Sequence, residues 1–239
     1  MSWALVTGGS GDIGTAIAAR LARDGHDVAI HTFRAVEAAE ATAGKVRAEG
    51  RRAVVVRAHL GKDGAAGELA AQVLDEVGQV DLLVSNAASG VLRPVDQLTE
   101  RHLDWALDVN ARPLLALTVA LRPRAAVALT SPGSHRVLPA YAGVGASKAA
   151  LEALVRYLAV ELAPATRVNA VCAGVVDTRA LAHFPDREAM LADGAARTPA
   201  GRLVTPDDVA AAVAWLCSAE ASMVTGHTLV VDGGRGLAA

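Results

Sequence analysis

Seven short apolar runs alternate along the chain with segments of helical pattern, and this alternation restricts the fold more than any other feature. The runs are Trp3–Thr7, Asp27–Thr32, Ala53–Arg57, Val80–Ser85, Ala125–Thr130, Arg167–Ala173 and Thr228–Asp232. Strands that are apolar on both faces are typical of a parallel sheet covered by helices on both sides. The sequence therefore predicts the α/β class, with one doubly wound domain over residues 1–239 and a seven-stranded parallel sheet that has helices on both faces.

Glycine and capping residues mark where several helices begin and end. Gly25 and Gly50 follow two helical segments as C-terminal caps, and Thr205–Asp208 has the pattern of an N-cap followed by proline and acids. Residues 177–204 contain prolines and glycines and are predicted to be irregular. Because this segment follows the sixth strand, it would lie over the carboxyl edge of the sheet, where ligands bind in this class of fold. We interpret it as a substrate lid.

Composition and charge exclude several classes of function. The net charge is −2, and the arginines form no basic stripe that would bind a nucleic acid. The chain starts directly with a strand pattern and has no apolar span of about 18 residues, so we expect a cytoplasmic protein without a membrane partner. Cys172 and Cys217 have no CxxC spacing and the histidines have no paired ligand spacing, so we expect two buried thiols and no metal site.

A glycine-rich turn, Thr7–Gly14, follows the first strand and opens a helix. Glycines let the backbone approach a pyrophosphate closely, and the helix N-terminus supplies amide donors with a favourable dipole. The position of the turn predicts a Rossmann dinucleotide site. Its expected cofactor contacts are Gly8, Ser10, Gly11, Ile13 and Gly14.

The end of the second strand indicates which dinucleotide binds. This stretch reads His31-Thr32-Phe33-Arg34 and lacks the acid that usually holds the ribose hydroxyls of NAD. An arginine there favours a 2′-phosphate, so we predict NADPH as the cofactor; the alternative is that Arg34 is a solvated surface charge. At the end of the fourth strand, Asn86 and Ala87 leave room for the adenosine ribose.

Tyr141 precedes Lys148 by seven residues, in a segment that follows a strand ending near Ser131. A tyrosine and a lysine on one helix face after a serine-bearing strand are typical of hydride-transfer sites, although a spacing of four is commoner. That nearer position is Val144, and Tyr157 faces the opposite side of the helix. A working phenol is therefore Tyr141, and we expect it to approach from just before the helix.

Several other polar residues have two interpretations. Asn110 lies within a predicted helix, Glu100–Leu121, and either holds a water chain behind the lysine or is a satisfied buried amide at a kink. Ser131 either hydrogen-bonds the substrate or satisfies an amide at the strand end. We interpret His135 as a loop histidine, and Glu152 as a solvated or interface charge.

Taken together, these motifs resemble the short-chain dehydrogenase/reductase family from end to end. The matching landmarks are Thr7–Gly14, Asn86-Ala87-Ala88, Asn110, Ser131, Lys148, Ala173-Gly174 with Thr178, and Val231–Gly234. The Tyr141–Lys148 spacing and the segment Ser85–Val95 resemble the type III enoyl-acyl-carrier-protein reductases. The resemblance implies catalytic roles for Tyr141, Lys148, Asn110 and Ser131. It adds to the cofactor site Leu60, Lys148, Gly174, Val176 and Thr178.

The same resemblance implies an activity and an assembly. The activity is hydride transfer from NADPH to the β-carbon of a 2-enoyl thioester carried by acyl-carrier protein or coenzyme A. Tyr141 would donate a hydrogen bond to the thioester oxygen, and Lys148 would hold the nicotinamide ribose. Family members usually form homodimers or homotetramers, here through helices 100–121 and 147–162. Two alternatives remain: a carbonyl reductase for a 3-ketoacyl thioester or another ketone, and a non-catalytic sensor of NADPH.

Three positions depart from the family pattern. Asp12 occupies the usual place of a glycine, Ala88 that of another glycine, and Ala173 that of a proline. No departure removes a catalytic group. A carboxylate at this position can cap the following helix, but it also brings negative charge near the pyrophosphate, so Asp12 bears on the affinity for the cofactor.

Overall fold

The predicted strands pair in one parallel sheet. A computed structural model of the chain describes residues 2–179, 181 and 187–237, apart from the side chain of Met190. Within them the strands are β1 (Trp3–Val6), β2 (Asp27–Thr32), β3 (Ala53–Arg57), β4 (Leu82–Ser85), β5 (Ala125–Thr130), β6 (Arg167–Ala173) and β7 (Thr228–Val231). Their order is β3-β2-β1-β4-β5-β6-β7, and every pairing is parallel. The order reverses between β1 and β4, so the crevice for a ligand opens beyond the carboxyl ends of these two strands.

Helices cover both faces of the sheet. They are α1 (Asp12–Arg23), α2 (Val36–Ala48), α3 (Ala65–Val77), α4 (Glu100–Asn110), α5 (Arg112–Leu121), α6 (Ala142–Glu161), α7 (Arg187–Ala196) and α8 (Pro206–Cys217). One core joins α1, α2 and α8 to the sheet, and a second joins α3, α5 and α6 to the opposite face. Successive residues of β1 alternate between them: Ala4 and Val6 lie in the first core and Leu5 in the second. This alternation explains why the strands are apolar on both faces.

The predicted helix 100–121 is in fact two helices. α4 ends at Asn110 and α5 begins at Arg112, with Ala111 between them at φ −110° and ψ −53°. Pro113 has no N–H to donate to the carbonyl four residues earlier, and this missing hydrogen bond interrupts the helical ladder. Asn110 consequently occupies a helix end, which agrees with the kink interpretation.

The segment interpreted as a lid is not irregular throughout. It contains the ten-residue helix α7, and Val176 near its start forms a parallel bridge with Val204 at its end. Residues 180 and 182–186 of this segment lie outside the described residues. The other end signals are confirmed: Gly25 and Gly50 have φ values of +98° and +72°.

Two cysteines and one capping box behave as predicted. Cys172 and Cys217 are buried free thiols. Thr205 accepts a hydrogen bond from the Asp208 N–H, while the Asp208 carboxylate accepts one from the Thr205 N–H.

Over the described ranges, no helix combines the length and apolarity needed to cross a membrane. In the same part of the chain, no cluster of three His, Cys, Asp or Glu side chains could hold a metal ion.

Candidate active site

The turn between β1 and α1 is packed so closely that side chains would not fit. Gly8 has φ +63°, and a Cβ there would lie 2.9 Å from the Cα of Ala87. A Cβ on Gly14 would lie 2.4 Å from the carbonyl oxygen of Gly8. No side chain caps α1. The first amides of the helix therefore face the switch-point crevice, and this cradle fits the pyrophosphate of a dinucleotide.

Asn86 holds the turn in place from the end of β4. Its Nδ2 donates to the carbonyls of Thr7 and Gly8 at 2.9 and 3.1 Å. The N–H groups of Asn86 and Ala87 both donate to the Thr7 hydroxyl at 3.0 Å. The structure thus brings together the predicted elements Thr7–Gly14 and Asn86-Ala87, and it assigns the Asn86 amide to supporting the turn.

His31 supports the turn from β2, and sequence reasoning missed this role. The N–H of Gly8 donates to His31 Nδ1 at 3.2 Å, and His31 Nε2 lies 3.2 Å from the carbonyl oxygen of Ala58. Burial lowers the pKa of His31 to about 4. The imidazole is therefore neutral at pH 7, with its proton on Nε2, and acts as a fixed acceptor for the turn.

Arg34 lies exposed beyond the end of β2. Its guanidinium stacks over the ring of Phe33 at 4.9 Å, and Phe33 in turn contacts His59 with ring centroids 4.1 Å apart. In the part of the chain that the structure describes, no carboxylate forms an ion pair with Arg34. The stacking orients the guanidinium and leaves its hydrogen-bond donors available. The side chain of Leu60 is buried in the second core, so only its backbone is placed to reach a cofactor.

Tyr141 is the N-cap residue of α6, as the spacing predicted. Its hydroxyl lies 3.1 Å from the Ser131 hydroxyl. A Cβ on Gly133 would lie 2.4 Å from the Tyr141 ring, so that glycine gives the phenol its room. Ala140 has φ +57°, a strained conformation for alanine, directly before the tyrosine. Burial raises the pKa of Tyr141, and the hydrogen bond with Ser131 partly offsets this shift.

Lys148 is buried on the same helix and points at β5. Its Nζ donates to the carbonyl oxygen of Leu129 at 2.8 Å. Burial lowers its pKa to about 8, while the negative charge of Glu152 acts in the opposite direction. The Glu152 carboxylate accepts a hydrogen bond of 2.7 Å from the Thr130 hydroxyl. Glu152 is half-buried and held by this bond, so it is not a freely solvated charge, and its charge acts on the lysine.

Val144 fills the position where the commoner motif has its tyrosine. It is buried, and a Cβ on Gly90 would lie 2.3 Å from its Cγ2. Asn110 is also buried beside this region: its Nδ2 donates to the Ser89 carbonyl and to the Ser147 hydroxyl at 2.9 and 2.8 Å. Its Oδ1 accepts from the Ser89 N–H at 2.8 Å. The amide is thus satisfied by Ser89 and Ser147 and links the loop after β4 to the residue preceding Lys148.

The segment after β6 brings its predicted residues to the same edge. Gly174 donates to the Val231 carbonyl, and a Cβ on it would lie 3.0 Å from the Cα of Asp232. Val176 is buried, and Thr178 lines an open cavity of about 390 Å³ next to Asp12.

His135 is exposed, with its Nδ1 3.0 Å from the Ser134 hydroxyl, as expected for a loop histidine. A second cavity, of about 300 Å³, lies against Tyr141.

Comparison with known proteins agrees with this geometry. A family model described as Enoyl-(Acyl carrier protein) reductase matches residues 9–235. The chain is 36% identical to 1-cyclohexenylcarbonyl-CoA reductase of Streptomyces collinus, over 98% of this chain and 87% of the relative. It is 33% identical to human dehydrogenase/reductase SDR family member 4, over 97% of this chain and 86% of the relative. The chain belongs to the short-chain dehydrogenase/reductase family.

Solved structures of the same fold extend the comparison. A putative short-chain alcohol dehydrogenase from Sinorhizobium meliloti superposes with a TM-score of 0.93 and 30% identity, over 100% of this chain and 97% of the other. A short-chain dehydrogenase from Burkholderia cenocepacia, determined in complex with NADP, superposes with a TM-score of 0.88 and 35% identity over 98% of each chain. This short-chain dehydrogenase/reductase is therefore an oxidoreductase from a family that uses nicotinamide cofactors.

Proposed function

We propose that the enzyme uses NADPH to reduce the carbon–carbon double bond of a 2-enoyl thioester. The observation that carries the proposal is the placement of Tyr141 at the N-cap of α6, two turns before Lys148, with Val144 buried between them. In an enoyl thioester, the oxygen that gains charge is three bonds from the carbon that takes the hydride, whereas in a ketone it is bonded to that carbon directly. A phenol displaced from the lysine suits that oxygen. The name of the Streptomyces relative, a reductase of an unsaturated acyl thioester, supports this choice.

Three side chains have different roles around the reacting atoms: Tyr141, Ser131 and Lys148. A bound nicotinamide supplies the hydride that the β-carbon accepts. Tyr141 donates a hydrogen bond to the thioester oxygen as negative charge develops there, and Ser131 orients the phenol through the 3.1 Å contact. The Lys148 ammonium would hold the nicotinamide ribose. It would also stabilise the tyrosinate that is left when the phenol passes its proton to the enolate, and this proton completes the reduction that the hydride began. Because these hydrogen-bond donors are in place before the reaction, they stabilise the charge that develops in the transition state, and this is the main electrostatic contribution of the protein to the rate.

The cavity beside Tyr141 is the proposed acyl site. Its lining includes the phenol and the apolar side chains Val95, Val137, Leu138 and Pro139. Arg93 and Arg136 also line it. Apolar walls suit an alkyl chain, and guanidinium groups suit an anionic carrier, since acyl-carrier protein and coenzyme A both bear phosphate at the far end of the pantetheine arm. This combination supports a carrier-bound acyl group as the substrate.

Parallel assays of NADPH oxidation with crotonyl-CoA and acetoacetyl-CoA test the proposal. We expect turnover of the enoyl substrate and none of the keto substrate, because the phenol is positioned for the oxygen of an extended enolate. Turnover of acetoacetyl-CoA alone would replace the proposal with the carbonyl reductase. One observation favours that second candidate: the hydroxyls of Ser131 and Tyr141 form a pair that could together bind a ketone oxygen.

Arg34 is the proposed determinant of NADPH over NADH. Because a charged hydrogen bond to a phosphate contributes about 1.5–3 kcal/mol, we expect Arg34→Gln to lower the NADPH/NADH ratio of kcat/KM by about 10- to 100-fold. Arg23→Gln removes the same charge from an exposed position at the far end of α1 and serves as the matched control. An unchanged ratio in Arg34→Gln would assign Arg34 to the solvated surface.

We also propose that the enzyme assembles as a homodimer or homotetramer through α4, α5 and α6. Large apolar side chains on these helices are exposed in the single chain. They are Leu103, Leu115, Val119, Tyr157 and Val160. A second copy would bury this apolar surface.

A further inference from the structure

Arg179, just after the predicted cofactor residue Thr178, reaches back to the glycine-rich turn. Its backbone N–H donates to Asp12 Oδ2 at 2.7 Å, and its Nε donates to Asp12 Oδ1 at 2.8 Å. Its Nη2 donates to the carbonyl oxygen of Ser10 at 3.1 Å. Two hydrogen bonds from the guanidinium and one from the backbone N–H thus fix Arg179 against the turn that fits a pyrophosphate.

The contact explains how the chain accommodates Asp12. The carboxylate does not cap α1, because no side chain does. Left alone, it would repel a pyrophosphate at the same helix end. Paired with Arg179, it is neutralised, and the pair places a guanidinium beside the first amides of α1.

The guanidinium keeps donors for a further anion. An arginine has five N–H donors, and only Nε and one Nη2 hydrogen are used here. Among the residues that the structure describes, the Nη1 group of Arg179 has no hydrogen-bond partner. The side chain is largely exposed and lines the open cavity next to Asp12. The neighbouring Arg187 pairs with Asp177 instead, so it does not compete for Asp12.

We propose that Arg179 binds the pyrophosphate of the bound dinucleotide, and that Asp12 is the residue that positions its guanidinium. The inference rests on the dinucleotide part of the proposed function and is independent of which substrate is reduced. It reverses a simple electrostatic expectation. If Asp12 only repelled phosphate, removing its carboxylate would strengthen cofactor binding. Because Asp12 positions Arg179, removing the carboxylate instead weakens cofactor binding.

Titration of NADPH fluorescence against four proteins tests this assignment: the wild type, Asp12→Asn, Arg179→Gln and the double variant. We expect Arg179→Gln to weaken NADPH binding by about 10-fold or more, because an arginine–phosphate contact is lost. Asp12→Asn should weaken it by about three- to tenfold, since the guanidinium is less well placed. In the Arg179→Gln background, the same Asp12→Asn change should strengthen binding, because only the repulsion is left to remove.

Adenosine 2′-monophosphate separates a direct contact from a general effect on the fold. It carries the adenine and the 2′-phosphate but no pyrophosphate, so its competition with NADPH should give the same dissociation constant for the wild type and Arg179→Gln. Arg179→Lys keeps the charge and should recover part of the NADPH affinity. Tighter NADPH binding by Asp12→Asn in the wild-type background would overturn the proposal. So would equal losses for NADPH and the monophosphate.

The NADPH affinities that these titrations measure do not depend on which substrate the enzyme reduces. A chain that shows the expected set of affinities but reduces no enoyl thioester would refute the reaction and keep the role of Arg179. A chain that reduces enoyl thioesters while Arg179→Gln binds NADPH like the wild type would refute the role of Arg179 and keep the reaction.

Discussion

Replacement of Tyr141 by phenylalanine is expected to lower kcat for an enoyl thioester by about 10²- to 10⁴-fold, the range for loss of a positioned proton donor. The phenol is the group whose hydroxyl would meet the thioester oxygen, and the ring packs against Gly133 with or without that hydroxyl. NADPH affinity should stay within about twofold, because the turn, Asn86 and Arg34 are untouched. Stopped-flow and steady-state rates, together with fluorescence titration of NADPH, measure the two effects separately.

Tyr157→Phe is the matched control for Tyr141→Phe. It makes the same chemical change on the same helix, at a side chain that is 68% exposed in the single chain and faces away from Lys148. Phenylalanine keeps the ring that the proposed assembly would bury. Its kcat should equal that of the wild type. Normal turnover in Tyr141→Phe would remove the tyrosine from the mechanism. If the wild type binds NADPH but reduces neither the enoyl nor the keto thioester, the sensor alternative gains support.

The fold could be predicted from the sequence because each strand carries apolar residues in both of its alternating sets. Ala4 and Val6 on one side of β1 and Leu5 on the other enter different cores, and only a sheet covered on both faces buries both sets. The helix break at Ala111 was missed because the apolar periodicity runs on across it. Pro113 was the available signal, and its missing donor decides the break. Helix α7 was likewise missed, because the prolines and glycines within residues 177–204 led us to predict an irregular segment.

The site was predictable where chemistry and spacing are local. Tyr141 and Lys148 are about two helical turns apart on α6, so their positions in the sequence already predict that both side chains lie on the same face of the helix. Contacts between distant segments were not predictable in this way. Asp12 and Arg179 are separated by 167 residues, and only the assembled sheet brings the segment after β6 onto the turn after β1. The partner of Glu152, Thr130, is likewise set by the register of α6 on β5.

Activity should fall as the pH rises through about 8, because Lys148 then loses its proton. Burial lowers the pKa of this lysine to about 8, so the ammonium that holds the ribose is fully present below that pH and is lost above it. The neighbouring groups do not titrate there: burial raises the pKa of Tyr141, and it raises that of Cys172 to about 12. We expect kcat/KM for NADPH, which reports the cofactor-free chain, to fall about tenfold for each pH unit above the limb.

Two variants assign that limb to Lys148. Lys148→Arg carries a charge that persists above pH 12, so the decline near pH 8 should disappear, although the absolute rate falls because the guanidinium has a different shape. Glu152→Gln removes the negative charge that raises the lysine pKa, so it should move the limb to lower pH. A limb that stays at the same pH in both variants would belong to another group. Among the described residues, the buried ammonium donates only to the Leu129 carbonyl, and the negative charge of Glu152 is what opposes the lowering of its pKa by burial.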